Sequence, residues 1–195
     1  MKDAKTGKKV LLFMDAFHFV MGCGFLNAVY CLTRRFLLTG NGRQRYNVLG
    51  AIDFVTKKVI TYTNDKYINA TSVCELLRSI SEANLGKAVH IILDNARYQR
   101  CKLVTELAEE LGIVLEFLPS YSPNLNLIYR FWKFVRATLR TKNYNNFEEF
   151  KAMIDEIISS STKENKAHID RLLGEKVQLF KLNQVATKTY EKKVV

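Results

Sequence analysis

The order of the predicted secondary-structure elements indicates an α/β protein built around one mixed sheet. Three strand-like segments come first, two further strands then alternate with helices, and helices follow to the end. Strands joined by a tight turn pair antiparallel, whereas strands joined through a helix usually pair parallel. The sequence therefore predicts a mixed five-stranded sheet flanked by helices.

The first three strands are marked by alternating side chains and a short turn. In the strand-like segment Lys9–Val20, the odd-numbered side chains from residue 11 point to one face and the even-numbered ones to the other. Residues 46–54 and 58–63 follow, and the connection at Thr56 and Lys57 is short enough for an antiparallel hairpin. The odd-numbered face of this first strand carries Leu11, Phe13, Asp15, Phe17 and Phe19.

Helices and strands alternate in the middle of the chain. Asn69 or Thr71 can cap a helix that runs to about Ala83. A short apolar strand over residues 89–93 precedes Asp94, and residues 113–118 form the fifth strand. Between them, residues 102–111 predict a helix that ends at Gly112. The residues expected to form its apolar face are Leu103, Leu107 and Leu111.

Helices dominate the last third of the chain. The loop over residues 119–123 leads into a long helix over residues 125–140, and Asn146 caps a second helix, Phe147–Ser160. Residues 163–195 are lysine-rich, with one helix expected over 167–173 and a loose tail. This element order is that of the ribonuclease H-like fold, which nucleases, integrases and transposases share, so the order alone does not fix the function.

Composition excludes several classes of protein. With 195 residues and 48% hydrophobic residues, the chain can bury a core and is not disordered throughout. No apolar run approaches the roughly 18 residues that span a bilayer, and no signal-peptide cleavage site is present. We expect a cytoplasmic protein without a membrane partner. Four cysteines without a CxxC pair predict reduced thiols and no zinc site: Cys23, Cys31, Cys74 and Cys101.

Basic residues are clustered rather than scattered. The net charge is +11, and two stretches, residues 33–45 and 130–142, carry several Lys and Arg without any acid. Clusters of this kind are typical of surfaces that bind a phosphate backbone. The sequence therefore favours a nucleic-acid partner.

Two aspartates are the strongest candidates for chemistry. Asp15 lies within a strand among phenylalanines, and Asp94 directly follows the fourth strand. Each alone has an ordinary alternative as a helix cap or a buried ion pair. In this strand order the first and fourth strands are neighbours, so the two carboxylates are expected to meet. Paired carboxylates are hard oxygen ligands for Mg²⁺ or Mn²⁺.

Three segments resemble a known family. LLFMDAFHF, ILDNARYQR and LPSYSPNLNLIYRFWKFVR are similar to the DDE endonuclease domain of bacterial insertion-sequence transposases in the mariner superfamily. The resemblance covers residues 9–160. It implies catalytic, metal-binding roles for Asp15 and Asp94, with two Mg²⁺ or Mn²⁺ ions. It also implies cleavage and strand transfer of DNA at transposon ends and target, a homodimer in the transposition complex, and a nucleoid location.

The sequence departs from this family at the third acidic position. In members of the family, 34 residues commonly separate the second aspartate from a glutamate. Counted from Asp94, that glutamate would be residue 129, and this chain has Tyr129 there. A phenol titrates near pH 10 and is a poor ligand for a hard cation. We therefore expect weakened or absent cleavage. Gln99 also replaces a histidine that many members carry.

The helix that contains Tyr129 is strongly amphipathic. A rotation of about 100° per residue places Ile128, Phe131, Trp132, Val135 and Leu139 on one side and Tyr129, Lys133, Arg136 and Arg140 on the other. A merely solvated basic face is the alternative to a DNA-binding one. The residues expected to bind DNA are Arg97, Arg130, Lys133, Arg136 and Arg140.

Other polar residues receive less weight. His18 alternates away from Asp15, which favours a structural role. Asn95 and Arg97 follow Asp94 and could orient it or contact phosphate. Asp53 and Glu116 could replace the missing ligand, but neither has the family's spacing.

The predicted organisation is a catalytic domain over residues 1–160 and a basic helix and tail over residues 161–195. The family's N-terminal helix-turn-helix region is expected to be absent, and with it the recognition of specific ends. Two further functional classes remain open. One is a catalytically dead module that binds DNA or dimerises. The other is a ribonuclease or junction resolvase, which fits the aspartates but not the segment around Tyr129.

Overall fold

The computed structural model describes residues 9–21, 44–119, 125–161 and 166–174. Cys23, Cys31, most of the basic stretch 33–45, most of the loop 119–123 and the tail from residue 175 lie outside these ranges. The described elements follow in chain order. They are β1 (Lys9–Val20), β2 (Arg45–Asp53), β3 (Val59–Asn64), α1 (Ala70–Ala83), β4 (Ala88–Leu93), α2 (Lys102–Glu110), β5 (Ile113–Phe117), α3 (Leu127–Leu139), α4 (Phe147–Ser160) and α5 (Lys166–Leu172).

The five strands form one mixed sheet in the order β3-β2-β1-β4-β5. β1, β2 and β3 pair antiparallel, while β4 pairs parallel with both β1 and β5. The predicted mixed sheet is confirmed, and the predicted strand ends agree with the observed ones to within one residue. β2 and β3 end at Asp53 and Asn64, and Asp94 directly follows β4, so polar residues mark three of these ends.

The sheet buries two separate apolar layers. Alternate residues of β1 divide between them: Leu11 and Phe13 face α3 and α4, whereas Leu12 and Met14 face α1 and α2. α5 adds Ile169 to the first layer. As predicted, Ile128, Phe131, Trp132, Val135 and Leu139 form the buried side of α3.

Local hydrogen bonds explain where several elements begin and end. The Asp53 carboxylate accepts the N–H groups of Val55 and Thr56, at 2.7 and 2.6 Å, which holds the β2–β3 turn. Asn69 and Ser72 form a capping box on α1, which selects Asn69 from the two predicted caps. Gly112 has φ +65, which favours glycine, and it follows α2 as expected.

The predicted apolar face of α2 is right only in part. Leu103 is 55% exposed, whereas Val104 and Ala108 are buried. Leu107 and Leu111 are half-buried at the edge of the layer. Val104 and Ala108 have the same four-residue spacing, about 100° further around the helix. Packing of α2 against α1 and β5 selected this smaller pair, because small side chains allow the elements to approach closely.

The described residues also give findings on membrane-spanning helices and on the cysteines. None of the helices within these ranges is long and apolar enough to cross a bilayer. Cys74 is buried, Cys101 is half-buried, and both are free thiols.

The packing of α2 gives a direct test. Val104→Ala should lower the free energy of unfolding by about 1–3 kcal/mol, because it removes two fully buried methyl groups. Leu103→Ala, one residue earlier, should change it by less than about 0.5 kcal/mol, because Leu103 is exposed. Urea unfolding followed by circular dichroism measures both, and an equal loss in the two variants would contradict the observed face.

Candidate active site

Asp15 and Asp94 lie side by side at the end of the β1–β4 pairing. The parallel register pairs Leu12 with Ile91 and Met14 with Leu93. Asp15 is the next residue of β1, and Asp94 directly follows β4. Strand alternation places both on the sheet face that α3 covers. The structure therefore brings together the two carboxylates that the sequence predicted to meet.

Burial dominates the electrostatics of Asp15. Burial, and after it the negative charge of Asp94, raises the pKa of the Asp15 carboxyl to about 7. The N–H of Ala16, which donates to Asp15 Oδ1 at 2.8 Å, acts in the opposite direction. Near neutral pH the Asp15 carboxyl is thus divided between its protonated and ionised forms.

Tyr98 shares the environment of the two carboxylates. Burial raises the pKa of the Tyr98 phenol to about 12, and the charges of Asp94 and then Asp15 contribute. The phenol stays neutral at physiological pH. Sequence reasoning missed this neighbour, because Tyr98 belongs to a 3-10 helix (Arg97–Gln99) placed by packing against α1 and α2.

One oxygen of the pair has no partner. Asp94 Oδ1 is buried and accepts no hydrogen bond. Leaving a buried carboxylate oxygen unsatisfied costs on the order of 1–3 kcal/mol or more. A hard divalent cation would satisfy it, so the donor set fits Mg²⁺ or Mn²⁺. Within the described ranges, however, no group of three or more potential metal-ligating side chains is present.

The start of α3 is held next to the aspartates. Asn126 Nδ2 donates to the carbonyl oxygen of Met14 at 2.9 Å, and Asn126 Oδ1 accepts from the N–H of Ile128 at 3.4 Å. Tyr129 follows one helical turn later, and its N–H donates to the Asn126 carbonyl at 3.2 Å. The sequence predicted the helix without this anchor; the signal was an Asn before an apolar helical run.

The side chain of Tyr129 stands on the outer side of α3. It is half-buried, and Lys133 Nζ lies 4.7 Å from the centre of its ring. Lys133, Arg136 and Arg140 are exposed along the same helix, as predicted.

The other predicted basic residues occupy two places. Arg97 is exposed on the 3-10 helix that follows Asp94, and Arg130 is half-buried on α3. These five residues, Arg97, Arg130, Lys133, Arg136 and Arg140, are called the basic surface below; they lie along α3 to its C-terminal end and on the 3-10 helix after Asp94.

The remaining candidates are engaged elsewhere. His18 Nδ1 lies 2.6 Å from Asn47 Oδ1. Asn95 Oδ1 accepts from Arg100 at 2.7 Å. Asp53 holds the β2–β3 turn, and Glu116 Oε1 lies 3.1 Å from His90 Nδ1. The structure does not bring Asp53 or Glu116 to the pair.

Gln99 is an unexpected feature beside this site. Its side chain is fully buried, and neither its amide oxygen nor its amide nitrogen has a hydrogen-bond partner. The sequence singled out Gln99 only as a replacement for histidine, and its burial was not predictable because it depends on how the 3-10 helix packs.

Comparison with solved structures gives the fold. The catalytic domain of Mos1 mariner transposase aligns with a TM-score of 0.58 and 16% identity, over 84% of this chain and 76% of that one. A Mos1 strand transfer complex aligns with a TM-score of 0.60 and 16% identity, over 85% and 51%. The HTLV-2 integrase catalytic core domain aligns with a TM-score of 0.50 and 15% identity, over 77% and 82%.

The chain spans about half the length of the chain in the Mos1 complex. At these identities the likeness is one of fold, and it confirms the ribonuclease H-like prediction. Comparison with curated protein sequences found no significant match.

A family model settles the membership. The model described as DDE superfamily endonuclease matches residues 31–153, more than half of the chain. Asp94 and Tyr129 lie within the match, and Asp15 precedes it. By this match and by its fold, the chain belongs to the DDE superfamily endonucleases.

Proposed function

We propose that this chain is a transposase catalytic domain in which Asp15 and Asp94 bind Mg²⁺ or Mn²⁺ for cleavage and joining of DNA. One observation carries the proposal: two neighbouring, half-buried carboxylates on the sheet face that α3 covers, one of which has a buried oxygen without a partner. Such an arrangement is costly unless a cation completes it.

The residues of the chain divide the work. Asp15 and Asp94 hold the cation, and the neutral Tyr98 phenol lies beside them. Bound divalent cations activate the attacking hydroxyl and stabilise the leaving oxygen in phosphoryl transfer. The basic surface supplies contacts to the DNA backbone and so orients the phosphate relative to the carboxylates.

We propose that Tyr129 weakens or abolishes DNA cleavage by this chain. A phenol is neutral at pH 7, so it brings no charge to a hard cation and binds it weakly. Two carboxylates then hold the metal less tightly than three would. The same observation favours the second candidate function, a DNA-binding or dimerisation module that has lost cleavage.

The proposed partners follow from the family. Among the Mos1 structures of similar fold are a pre-cleavage transpososome and a paired-end complex with the left transposon end. We propose that this chain likewise binds transposon and target DNA, as a homodimer.

Nicking of supercoiled plasmid in Mn²⁺ tests the role of position 129. Tyr129→Glu should nick at least about tenfold faster than the unaltered chain, because it supplies the third carboxylate. Adding Asp94→Ala to Tyr129→Glu should abolish the gain.

The alternatives give different patterns. If the unaltered chain nicks and Asp94→Ala stops it, another group acts in place of a glutamate. If none of the variants nicks while all bind DNA, the binding-module function is correct and the enzymatic proposal is wrong.

The raised pKa of Asp15 predicts how stability depends on pH. The folded state keeps the proton up to about pH 7, whereas the unfolded chain loses it near pH 3.8, so the protein loses stability as the pH rises between these values. Asp15→Asn removes this loss. Its free energy of unfolding relative to the unaltered chain should therefore rise by about 2–3 kcal/mol from pH 5 to pH 8, measured by urea unfolding.

Magnesium provides the control for that experiment. At pH 8, Mg²⁺ should raise the Tm of the unaltered chain and have a smaller effect on Asp15→Asn, because the carboxylate that holds the cation is gone. Equal effects on both proteins would argue against Asp15 as a ligand.

Salt dependence tests the basic surface. Replacing Lys133, Arg136 and Arg140 by Gln should weaken DNA binding and reduce the slope of log K against log salt by about one per lost phosphate contact. Fluorescence anisotropy over a KCl series measures the slope. Arg78→Gln is the matched control, because Arg78 is exposed on α1 across the sheet and pairs with Glu75. An identical slope in the triple variant would remove this surface from the proposal.

A further inference from the structure

We propose that Asn126 is a positioning residue that sets where residue 129 stands relative to Asp15 and Asp94. The inference rests on the proposed function, because it concerns the third position of the same site. It adds a role for a residue that contacts neither metal nor DNA in that proposal.

The Asn126 side chain joins two elements through both ends of its amide. Its Nδ2 donates to the carbonyl of Met14 on β1, and its Oδ1 accepts from the N–H of Ile128 on α3. The residue is 3% exposed, so water does not compete for these bonds. An amide carries its donor and its acceptor on two separate atoms, so Asn126 can bond to Met14 and to Ile128 together. An ionised aspartate has no donor, and serine has a single, shorter-reaching oxygen for both bonds.

The anchored carbonyl is at the level of the aspartates. Met14 immediately precedes Asp15, and its register partner Leu93 immediately precedes Asp94. Residue 129 lies three residues beyond Asn126, a rise of about 4.5 Å along the helix. A shift of the Asn126 bond therefore displaces residue 129 directly.

A second contact fixes the same helix from the next strand. Gly50 is the register partner of Asp15 on β2, and the ring of Trp132 lies against it. A Cβ at Gly50 would stand 2.7 and 2.8 Å from two ring carbons of Trp132, closer than real contacts, and 3.3 Å from Ile128 Cδ1. Phe17 stacks on the same ring at 6.0 Å between centroids. Ile128 and Trp132 thus fix α3 on both sides of residue 129.

These contacts do not depend on which side chain occupies position 129. Asn126 bonds through its own amide, and Trp132 packs through its own ring. The start of α3 is therefore already arranged for a ligand that this chain lacks, and a glutamate introduced at position 129 would enter a fixed position.

A double-mutant cycle on Mn²⁺ affinity tests the inference. Tyr129→Glu should raise Mn²⁺ affinity at least about tenfold in the otherwise unaltered chain, measured by calorimetry or electron paramagnetic resonance. With Asn126→Ser, which keeps a helix cap, the same Tyr129→Glu change should raise affinity less than about threefold, because the first turn of α3 loses its bond to β1 even though Trp132 still packs against Gly50. Asn146→Ser, the same substitution at the cap of α4, should leave the gain unchanged.

The outcomes separate this inference from the proposed function. An equal gain with and without Asn126→Ser would overturn the positioning role and leave the carboxylate site intact. No gain from Tyr129→Glu in the unaltered background would overturn residue 129 as the third position and the positioning role with it, whereas loss of Mn²⁺ binding in Asp94→Ala would still support the two-aspartate site. If Asn126→Ser fails to fold, Asn126→Thr replaces it under the same criterion, because it also can cap the helix but has no amide to donate to Met14, and circular dichroism verifies its fold.

Discussion

The parallel pairing of β1 with β4 is the constraint on which the site depends. It joins two strands far apart in the sequence and places Asp15 beside Asp94 in the centre of the sheet. Two carboxylates in such a position repel each other and lose hydration, and the pKa of Asp15 accordingly rises to about 7. The apolar layers on both faces of the sheet supply the stability that offsets this cost.

Helix α3 contributes to both the core and the site, because one of its sides is buried and the other is not. Its inner side, with Trp132 against Gly50, belongs to the core, while its outer side carries Tyr129 and the basic residues. Packing that stabilises the domain therefore also determines the position of residue 129.

The identity of residue 129 balances two effects. A third carboxylate would strengthen the binding of a cation but would add negative charge beside Asp15, whose pKa burial and Asp94 already raise. A neutral phenol adds no such repulsion and leaves the metal-free domain less strained electrostatically. Under our proposal, Tyr129 therefore lowers the affinity for a metal ion and raises the stability of the metal-free domain.

The sequence by itself determined the sheet, most element boundaries and the meeting of Asp15 and Asp94, because these depend on local alternation, turn residues and element order. It also determined which side of α3 is buried, since Trp132 and its neighbours form a wide apolar stripe. Only the tertiary structure decided that Val104 rather than Leu103 faces the core, that Asn126 bonds to Met14, and that Tyr98 lies near the aspartates. Those features depend on contacts between residues distant in the chain, where close packing and the pairing of buried polar groups outweigh local periodicity.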